Sequence, residues 1–418
     1  MIEVHKDSQN DIPNTWNKLP LYELRNKKDR YGFTGGPFGS DLKSEHYTQQ
    51  GVKILQLQNI GEGKFINKGI SYTSEEKANE LISCNIYPGE IILAKMAPVA
   101  RCCKVPSTDE RYVMCSDGIR LSVDIDRFSN EFVFQALNSK YFRKEAESKS
   151  TGTTRARIGL NELKLIPILI PNSLSEQQKI AEILSTVDDK IEIIDQQIIE
   201  TRELKKGLMQ RLLIKGIGHT EFKDSPLGII PQSWEIVKQS EVATFYNGRA
   251  FKLTEWKKEG TPVIRLQNLT GTGKNYYYSD LNLPEHQYCY KGDLLYMWSA
   301  TFGPVWWFGD KAIFHYHIWK IEHNSKFLDR NFHYYLLDNV TTRMKNESHG
   351  STMLHVTKGG MEKLLIQLPP LKEQQKIAKI LGTVDEKLTV LSEKKIHYQE
   401  LKKGLMQQLL TGKIRVKV

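Results

Sequence analysis

A long internal repeat is the feature that most constrains how this chain can fold. Residues 174–213 and 371–410 align without a gap, and 24 of the 40 aligned positions are identical. Both segments open on Leu-x-Glu-Gln-Gln-Lys-Ile-Ala, and both contain Glu-Leu-Lys-Lys-Gly-Leu-Met-Gln. A match of this length is not a low-complexity coincidence, so the chain is predicted to be built twice from one plan.

The repeated segments have the apolar spacing of long paired helices. Their apolar positions alternate in steps of four and three, the 3.5-residue period of a coiled-coil seam. A helix of about 40 residues spans about 60 Å at 1.5 Å per residue. Gly207 and Gly404 recur inside the helices, which predicts a close approach of the two helix backbones. The predicted seams are Ile180, Leu184, Val187, Ile191, Ile194, Ile198 and Thr201, then Ile377, Leu381, Val384, Leu388, Leu391, Lys395 and Tyr398.

The segments before each helix match only at scattered points. Ile-Pro-x-x-Trp occurs at 12–16 and 230–234, and Leu-Gln-Asn occurs at 57–59 and 266–268. Short apolar runs bounded by Gly, Asn and Pro indicate strands. Residues 130–147 and 329–344 each have the pattern of a single amphipathic helix. Each segment is therefore predicted to be a mixed globule of about 150 residues.

The whole chain is thus predicted to alternate globules and helices. The fold class is α+β: two α/β globules separated by two long coiled-coil helices, duplicated with pseudo-two-fold symmetry. The predicted domains are a first globule at 1–172, a central helical segment at 173–217, a second globule at 218–370 and a C-terminal helical segment at 371–418.

Composition excludes several classes of protein. The chain has 59 Lys and Arg against 49 Asp and Glu, a net charge of +10 that points weakly to a polyanionic partner. The spacing of its five cysteines fits neither a disulfide framework nor a zinc site. No window reaches the roughly 18 consecutive apolar residues of a membrane span, and the N-terminus lacks a signal peptide's apolar core. We expect a reduced, cytoplasmic protein.

Enzyme motifs are absent or incomplete. Gly271-Thr-Gly-Lys274 suggests a phosphate-binding loop, but that pattern needs Gly and Ser/Thr where the chain has Asn268 and Asn275. His315 and His317 could offer two metal ligands from one strand face, but without a third ligand a plain histidine pair is favoured. The chain is therefore predicted to be non-catalytic and to bind no metal or cofactor.

The duplicated order resembles the specificity subunit of type I restriction–modification systems. The resemblance covers nearly the whole chain and rests on the two repeated helix motifs, on the two Ile-Pro-x-x-Trp motifs and on Pro37-Phe38-Gly39-Ser40. The second globule departs from the family pattern, because it offers Arg249-Ala250-Phe251-Lys252 in place of Pro-Phe-Gly-Ser. This departure weakens any site carried from that loop into the second globule.

The resemblance implies a function. Each globule would be a target recognition domain that reads one half of a split double-stranded DNA sequence. The two long helices would pack antiparallel and set the spacing between the halves. Two modification subunits would bind and methylate adenine N6 with S-adenosylmethionine. Two restriction subunits would add a DNA-translocating nuclease that needs ATP and Mg²⁺. All these cofactors would lie in partner subunits and none in this chain.

The residues themselves support this interpretation and leave two alternatives open. Nearly identical helices imply two equal partner sites, and divergent globules imply two different half-sites, so the target should be asymmetric. The first alternative is a coiled-coil adaptor whose globules bind proteins. The second is an orphan specificity subunit that supports methylation only.

Candidate contact residues follow from loop position and side-chain chemistry. The tyrosines at 276–278 and the tryptophans at 306–307 are interpreted as framework residues. The repeated polar positions that open each helix are predicted to bind the modification subunits: Glu176, Gln177, Gln178, Lys179, Glu373, Gln374, Gln375 and Lys376. The predicted DNA contacts are Ser40, Lys43, Lys95, Arg101, Arg155, Arg157, Arg249, Lys252, Lys274, Trp298, Thr301, Ser351, Thr352 and His355.

Overall fold

The computed structural model describes residues 2–4, 12–152, 154–299, 301–347 and 356–417. The chain forms two compact units, one made of Met1–Asp195 with Lys394–Val418 and the other of Gln196–Glu393. Each unit contains one globule, the first half of the helix that follows it and the second half of the other long helix. Among the described residues, no helix is long and apolar enough to cross a membrane.

The first half of the chain holds twelve short strands and one long helix within its described residues. The strands are β1 (Ile2–Val4), β2 (Trp16–Pro20), β3 (Phe33–Gly35), β4 (Tyr47–Thr48), β5 (Val52–Leu55), β6 (Ser71–Thr73), β7 (Asn85–Ile86), β8 (Ile91–Ala94), β9 (Cys102–Lys104), β10 (Tyr112–Met114), β11 (Gly118–Leu121) and β12 (Pro167–Pro171). The helices are α1 (Glu75–Glu80), α2 (Asn130–Leu137), α3 (Lys140–Ser148), α4 (Leu160–Lys164) and the long α5 (Leu174–Lys215).

The second half repeats this series. Its strands are β13 (Phe222–Lys223), β14 (Ile230–Pro231), β15 (Glu235–Lys238), β16 (Ala243–Asn247), β17 (Thr261–Ile264), β18 (Tyr277–Ser279), β19 (Tyr288–Cys289), β20 (Leu294–Met297), β21 (Gly303–Trp306), β22 (Ala312–Phe314), β23 (Ile318–His323), β24 (Leu365–Leu368) and β25 (Ile414–Val416). The helices are α6 (Gln239–Val242), α7 (Leu266–Thr270), α8 (Arg330–Glu347), α9 (Lys358–Lys363) and the long α10 (Leu371–Leu409).

The two globules share one strand order, apart from the additional edge strand β4 in the first. In the first, an antiparallel sheet β3-β11-β8-β9 accompanies a mixed sheet β4-β6-β5-β10-β7, in which β5 and β10 run parallel. In the second, the sheet β16-β23-β20-β21 accompanies β18-β17-β22-β19, and β17 and β22 run parallel. A strand pair leads into each long helix, β2 with β12 before α5 and β15 with β24 before α10. The predicted fold of two duplicated α/β globules with two long helices is confirmed.

Both long helices help to complete the core of each unit. In the first unit, Leu93 and Phe132 share a buried cluster with Leu184 from α5 and Leu409 from α10. In the second, Trp319 and Phe332 are clustered with Leu381 from α10 and Leu213 from α5. Burying one such side chain contributes about 1.5–3 kcal/mol. The globules and the helix ends are therefore stabilised together.

Salt bridges establish an antiparallel helix pair within each unit. In the first, Asp188 pairs with Lys402 at 2.6 Å and Asp195 with Lys395 at 2.5 Å. The residue numbers of α10 decrease along the pair as those of α5 increase, so the two helices run antiparallel. In the second, Lys205 pairs with Asp385 at 2.7 Å, which repeats the pair between Asp188 and Lys402. The predicted seams are largely buried. Their buried members are Ile180, Leu184, Val187, Ile194, Ile198 and Thr201 in α5, and Ile377, Leu381, Val384 and Leu391 in α10.

Two local predictions are wrong. A methyl group added at Gly207 or Gly404 would meet nothing within 4 Å, so these glycines are exposed and mark no close backbone approach. The predicted single helix at 130–147 is two helices, α2 and α3, because the Ser139 hydroxyl caps a new helix by accepting from the Phe142 N–H at 3.2 Å.

Candidate nucleic-acid interface

The predicted DNA contacts of the first globule gather at one edge of the antiparallel sheet. Strands β3 and β8 end at this edge, and β9 and β11 begin there. Their loops therefore lie side by side, and residues 156–158 join them. The Ala97 N–H donates to the Ala156 carbonyl and the Ile158 N–H to the Lys95 carbonyl, each at 2.9 Å. The Lys95 N–H also donates to the Asp117 carbonyl at 2.8 Å, so backbone hydrogen bonds hold three distant segments together.

Lys95, Arg157 and Asp117 form a charged cluster at this edge. The Lys95 ammonium donates to the Ser116 carbonyl at 2.7 Å, and the Arg157 guanidinium forms an ion pair with the Asp117 carboxylate. Partial burial lowers the pKa of Lys95, and the nearby positive charge of Arg157 lowers it further. A phosphate or base acceptor at this edge would offset that repulsion.

Arg101 supports the loop after β8 from within. Its guanidinium donates to the carbonyls of Ile60 at 2.6 Å, Leu57 at 2.8 Å, Met96 at 3.1 Å and Pro98 at 3.3 Å. Burial lowers the pKa of this group below its usual value. As a DNA contact Arg101 stays a prediction, and its contacts within the chain give it a structural role.

The other predicted contacts of the first globule are exposed on loops. Ser40 and Lys43 follow β3, and the Lys43 ammonium lies 3.8 Å from the Glu45 carboxylate. Arg155 is exposed in a loop that paired backbone bonds between Thr151 and Arg157 close at 2.8 and 2.9 Å. A closed loop holds its side chain in place, which suits a contact residue.

The second globule presents the same edge. Strands β16 and β20 end there, and β21 and β23 begin there. Gly36 and Gly248 occupy equivalent positions just beyond the first strand of each sheet. A methyl group on Gly36 would lie 1.7 Å from the Cys115 oxygen, and one on Gly248 would lie 2.2 Å from the His315 oxygen. Both positions therefore require glycine, because the loop backbone passes directly against the neighbouring turn.

Lys95 and Trp298 are structural equivalents. Each directly follows its strand, β8 or β20. The Lys95 ammonium donates to the Ser116 carbonyl at 2.7 Å, and the Trp298 indole N–H donates to the Tyr316 carbonyl at 2.7 Å. One hydrogen bond is thus made by a cation in one globule and by an aromatic ring in the other.

Lys43 and Lys252 are equivalent as well. Each precedes a short helical turn whose third residue caps it, since the Lys43 N–H donates to the His46 ring at 3.0 Å and the Lys252 N–H to the Glu255 carboxylate at 2.7 Å. The loop from Gly36 to Lys43 is three residues longer than that from Gly248 to Lys252. This length difference explains why sequence comparison did not align the two lysines.

Aromatic rings surround the predicted contacts of the second globule. Arg249 pairs with Glu255 and lies 5.5 Å from the centre of the Phe251 ring. The Phe251 and Trp256 rings are 4.8 Å apart, and His315 stacks nearby. Burial lowers the pKa of His315 to about 4, helped by His317 and Arg265, so this ring is neutral at pH 7. The edge is less charged than its counterpart and richer in flat apolar surfaces.

Only two of the remaining predicted contacts of the second globule lie within the described residues. Lys274 and Thr301 are exposed on loops. The Asn268 side chain donates to the carbonyls of Gly273 at 3.1 Å and Asn275 at 3.0 Å, which holds the Lys274 loop in place. Ser351, Thr352 and His355 lie outside the described residues.

Two acidic residues at these edges were missed by sequence reasoning. Asp117 and Glu255 each pair with a predicted arginine, Arg157 and Arg249. Asp117 lies 40 residues from its partner along the chain, so no local pattern could have indicated it. In the described part of the chain, no group of three or more His, Cys, Asp or Glu side chains could hold a metal ion, and all five cysteines are free thiols.

Half of the predicted partner-binding residues join the helices to the rest of their own unit. Gln177 accepts from the Ser129 N–H at 2.8 Å, and Gln374 accepts from the Asp329 N–H at 2.8 Å. Glu176 and Glu373 likewise contact residues that follow the other long helix or begin the globule. Both glutamines and Glu176 are buried. The side chains that remain exposed are Gln178, Lys179, Gln375 and Lys376.

Comparison with known proteins is consistent with this duplicated architecture. The family model of the type I restriction modification DNA specificity domain matches residues 44–203 and 231–401, which is most of both halves. The putative type I restriction enzyme MjaX specificity subunit of Methanocaldococcus jannaschii is 27% identical over 97% of this chain and 95% of that protein. The MjaVIII specificity subunit of the same organism is 29% identical over 73% of this chain and 75% of that protein.

Solved structures share the fold. The crystal structure of a type I restriction–modification S subunit from M. genitalium matches with a TM-score of 0.56 and 17% identity, over 98% of this chain and 99% of that chain. A chain from a structure addressing complex assembly and conformational transition of the type I R-M system matches with a TM-score of 0.60 and 17% identity, over 97% and 100% of the two chains. The chain therefore belongs to the type I restriction–modification DNA specificity family and is its non-catalytic specificity subunit.

Proposed function

We propose that each globule reads one half of a bipartite, asymmetric DNA target through the loop edge of its antiparallel sheet. The observation that carries this proposal is the equivalence of the two edges in backbone and their difference in side chains. Lys95 in one corresponds to Trp298 in the other, with the same hydrogen bond to the facing turn. A shared scaffold with different contact residues is what two different half-sites require.

The side chains at each edge suit DNA in a specific way. Arg157 is held by Asp117 and half exposed, so it can present its remaining donors to a guanine O6 and N7. Lys43 and Lys252 are exposed at equivalent places and suit phosphate contacts that position the duplex without reading it. The remaining contact residues, including those outside the described ranges, belong to the same proposal.

The helices supply two equal sites for the modification subunits in this proposal. In the second unit, Leu204 is exposed one turn before Gly207 on α5; in the first unit, Leu401 and Gly404 repeat this pair on α10. An exposed leucine beside a glycine lets a partner helix approach closely. Because the pair occurs once per unit, two copies of one partner are expected, with Gln178, Lys179, Gln375 and Lys376 as additional contacts.

The assembly would work in the cytoplasm on duplex DNA. The modification subunits would use S-adenosylmethionine to methylate adenine N6, and two restriction subunits would add an ATP- and Mg²⁺-dependent nuclease. The contribution of this chain would be to choose the sequence, and the length of the helices would set the non-specific gap between half-sites.

The first experiment maps N6-methyladenine at base resolution in host DNA with the gene intact and deleted. We expect one split, asymmetric motif to disappear on deletion and to return with the wild-type gene. An unchanged methylation map in cells that express the chain and its modification subunits would contradict the proposal.

Variants then test the loop edges directly. Arg157→Ala should relax the motif at one base of one half-site, because a bidentate arginine discriminates by about 1–3 kcal/mol. Lys252→Ala should weaken binding of all DNA sequences. It should also reduce the slope of log K against log salt concentration by about one. The matched control is Arg127→Ala, an exposed arginine beyond the far end of β11, which should change neither property.

A further inference from the structure

Phe38 and Leu253 are far more exposed than large apolar side chains usually are. Their exposed fractions are 83% and 91%, the highest of any large apolar residue in the described part of the chain. Phe38 lies in the loop that leaves β3, and Leu253 in the corresponding loop that leaves β16. One such residue would be ordinary, but the two extremes fall on the same loop of a duplicated fold.

Both loops are held in a defined shape. The Gly36 N–H donates to the Gly118 carbonyl at 2.8 Å, and the Asp41 N–H donates to the Phe38 carbonyl at 2.9 Å, which places Phe38 at a tight turn. Leu253 opens a short helical turn closed by the Glu255 N–H and the Lys252 carbonyl at 3.0 Å. The two apolar side chains therefore project from loops whose backbone conformation is fixed by hydrogen bonds.

The lysines on the loops of Phe38 and Leu253 indicate which kind of partner these loops contact. Lys43 and Lys252 are equivalent exposed lysines on these two loops, and Leu253 directly follows Lys252. A protein partner would need a continuous apolar patch, whereas each loop offers one highly exposed apolar residue and one exposed lysine. That combination suits a nucleic acid duplex, whose phosphates attract the lysine while the stacked bases accept an apolar wedge.

We propose that Phe38 and Leu253 are wedges that insert between adjacent base pairs, one in each half-site, and partly unstack them. The proposal rests on the proposed DNA-recognition function and adds to it a deformation of the target. Specificity would then depend on how easily a base step opens as well as on hydrogen bonds, and pyrimidine–purine steps open most easily.

The test uses the complex of this chain with its modification subunits and a duplex carrying the mapped target. The fluorescent base 2-aminopurine replaces one base at a time, and its emission rises where stacking is lost. We expect a rise at one step in each half-site. Phe38→Ala should abolish the rise in the first half-site only and Leu253→Ala in the second only, each with about tenfold weaker binding. Phe38→Leu should retain the rise.

Matched controls lie at the opposite edge of each sheet. Ile125 and Phe308 are 70% and 72% exposed beyond the far ends of β11 and β21, and their alanine variants should change nothing. Selective binding without a fluorescence rise away from the methylated adenine, which the modification subunits themselves unstack, would overturn the role of Phe38 and Leu253 as wedges and leave the proposed function intact. A rise there that persists in Phe38→Ala and Leu253→Ala would do the same. Loss of affinity on replacing thymine by uracil, without a rise, would indicate methyl contacts instead. Absence of selective binding by the wild-type complex would reject both proposals.

Discussion

At the scale of single residues, Glu176 and Glu373 show how one repeated position can serve two environments. Glu176 accepts two hydrogen bonds from Arg415, at 2.5 and 2.7 Å, just after α10. Glu373 accepts from the Ile217 N–H at 2.9 Å and from His219 at 2.8 Å, just after α5, and from the indole of Trp234, which follows β14, at 3.0 Å. Each carboxylate ties the start of one helix to the segment that follows the other.

Glu373→Ala should destabilise the second unit by roughly 2–3 kcal/mol, because the buried Trp234 indole N–H and the Ile217 N–H lose their acceptor. Urea unfolding followed by tryptophan fluorescence suits this measurement, since all tryptophans except Trp16 lie in that unit. Glu386→Ala removes an exposed carboxylate from the same helix and should cost less than about 0.5 kcal/mol. Equal effects of the two variants would refute the role of Glu373.

A buried histidine relay makes the second unit sensitive to acid. His323 donates to the His333 ring at 3.0 Å, and His333 donates to the Gln239 side-chain oxygen at 2.8 Å, an order that requires the His333 ring to be neutral. Burial lowers the pKa of His323 to about 4 and that of His333 well below its usual value. The unfolded chain therefore binds these protons more readily than the folded chain.

The free energy of unfolding of the second unit should accordingly fall as the pH drops from about 6.5 towards 4. The loss is about 3 kcal/mol for His323 alone. Below pH 4 both states carry that proton and this loss is complete. His323→Gln should flatten the profile between pH 6.5 and 4, which urea titrations at stepped pH would measure. An unchanged slope in this variant would count against the relay.

At the scale of elements, the two long helices are fastened to each globule by repeated polar contacts. Asp188 pairs with Lys402 and accepts from Gln135 of α2 at 2.8 Å. Asp385 pairs with Lys205 and accepts from Tyr335 of α8 at 2.8 Å, and burial with this contact raises the pKa of that phenol. Partly exposed pairs of this kind add little energy, but they define the antiparallel register.

The exposed glycines inside the helices offer a test at this scale. Gly207→Ala and Gly404→Ala should each stabilise the isolated chain by about 0.5–1 kcal/mol, because an added methyl group meets no atom within 4 Å. The same variants should weaken binding of the modification subunits if those subunits approach there. Thermal unfolding and a pull-down distinguish the two effects, and destabilisation of the isolated chain would be the contrary result.

At the scale of the whole molecule, the chain is one recognition unit built twice. Each globule enters its helix through a strand pair and a buried glutamine, Gln177 or Gln374, with equivalent backbone contacts. The two globules should therefore be interchangeable at these junctions.

Replacing residues 12–171 by a second copy of residues 230–368 should convert the split asymmetric target into two copies of one half-site in inverted order. The reason is that a duplicated chain is predicted to present its two half-sites in opposite orientations. Methylation mapping of cells carrying this variant would measure the outcome. Retention of the original first half-site would show that it is not read by the first globule.

The residues of the helical repeat predicted the long helices, their seam and the duplicated order of the molecule. Helical periodicity and capping depend on neighbours a few residues apart, so Ile180, Leu184 and their repeats could be placed from the sequence. The predicted close approach at Gly207 failed because recurrence alone does not distinguish a packed glycine from an exposed one. Asn138 and Ser139 likewise interrupt a pattern that resembled one helix.

The loop edges were decided by tertiary structure alone. Lys95 and Trp298 share no side-chain chemistry, and Lys43 and Lys252 are displaced by a loop insertion, yet strand pairing places each pair at equivalent positions. Asp117 meets Arg157 only after distant strands have assembled. Local periodicity determined the helices that carry the globules, whereas long-range strand register determined which side chains lie together at each loop edge.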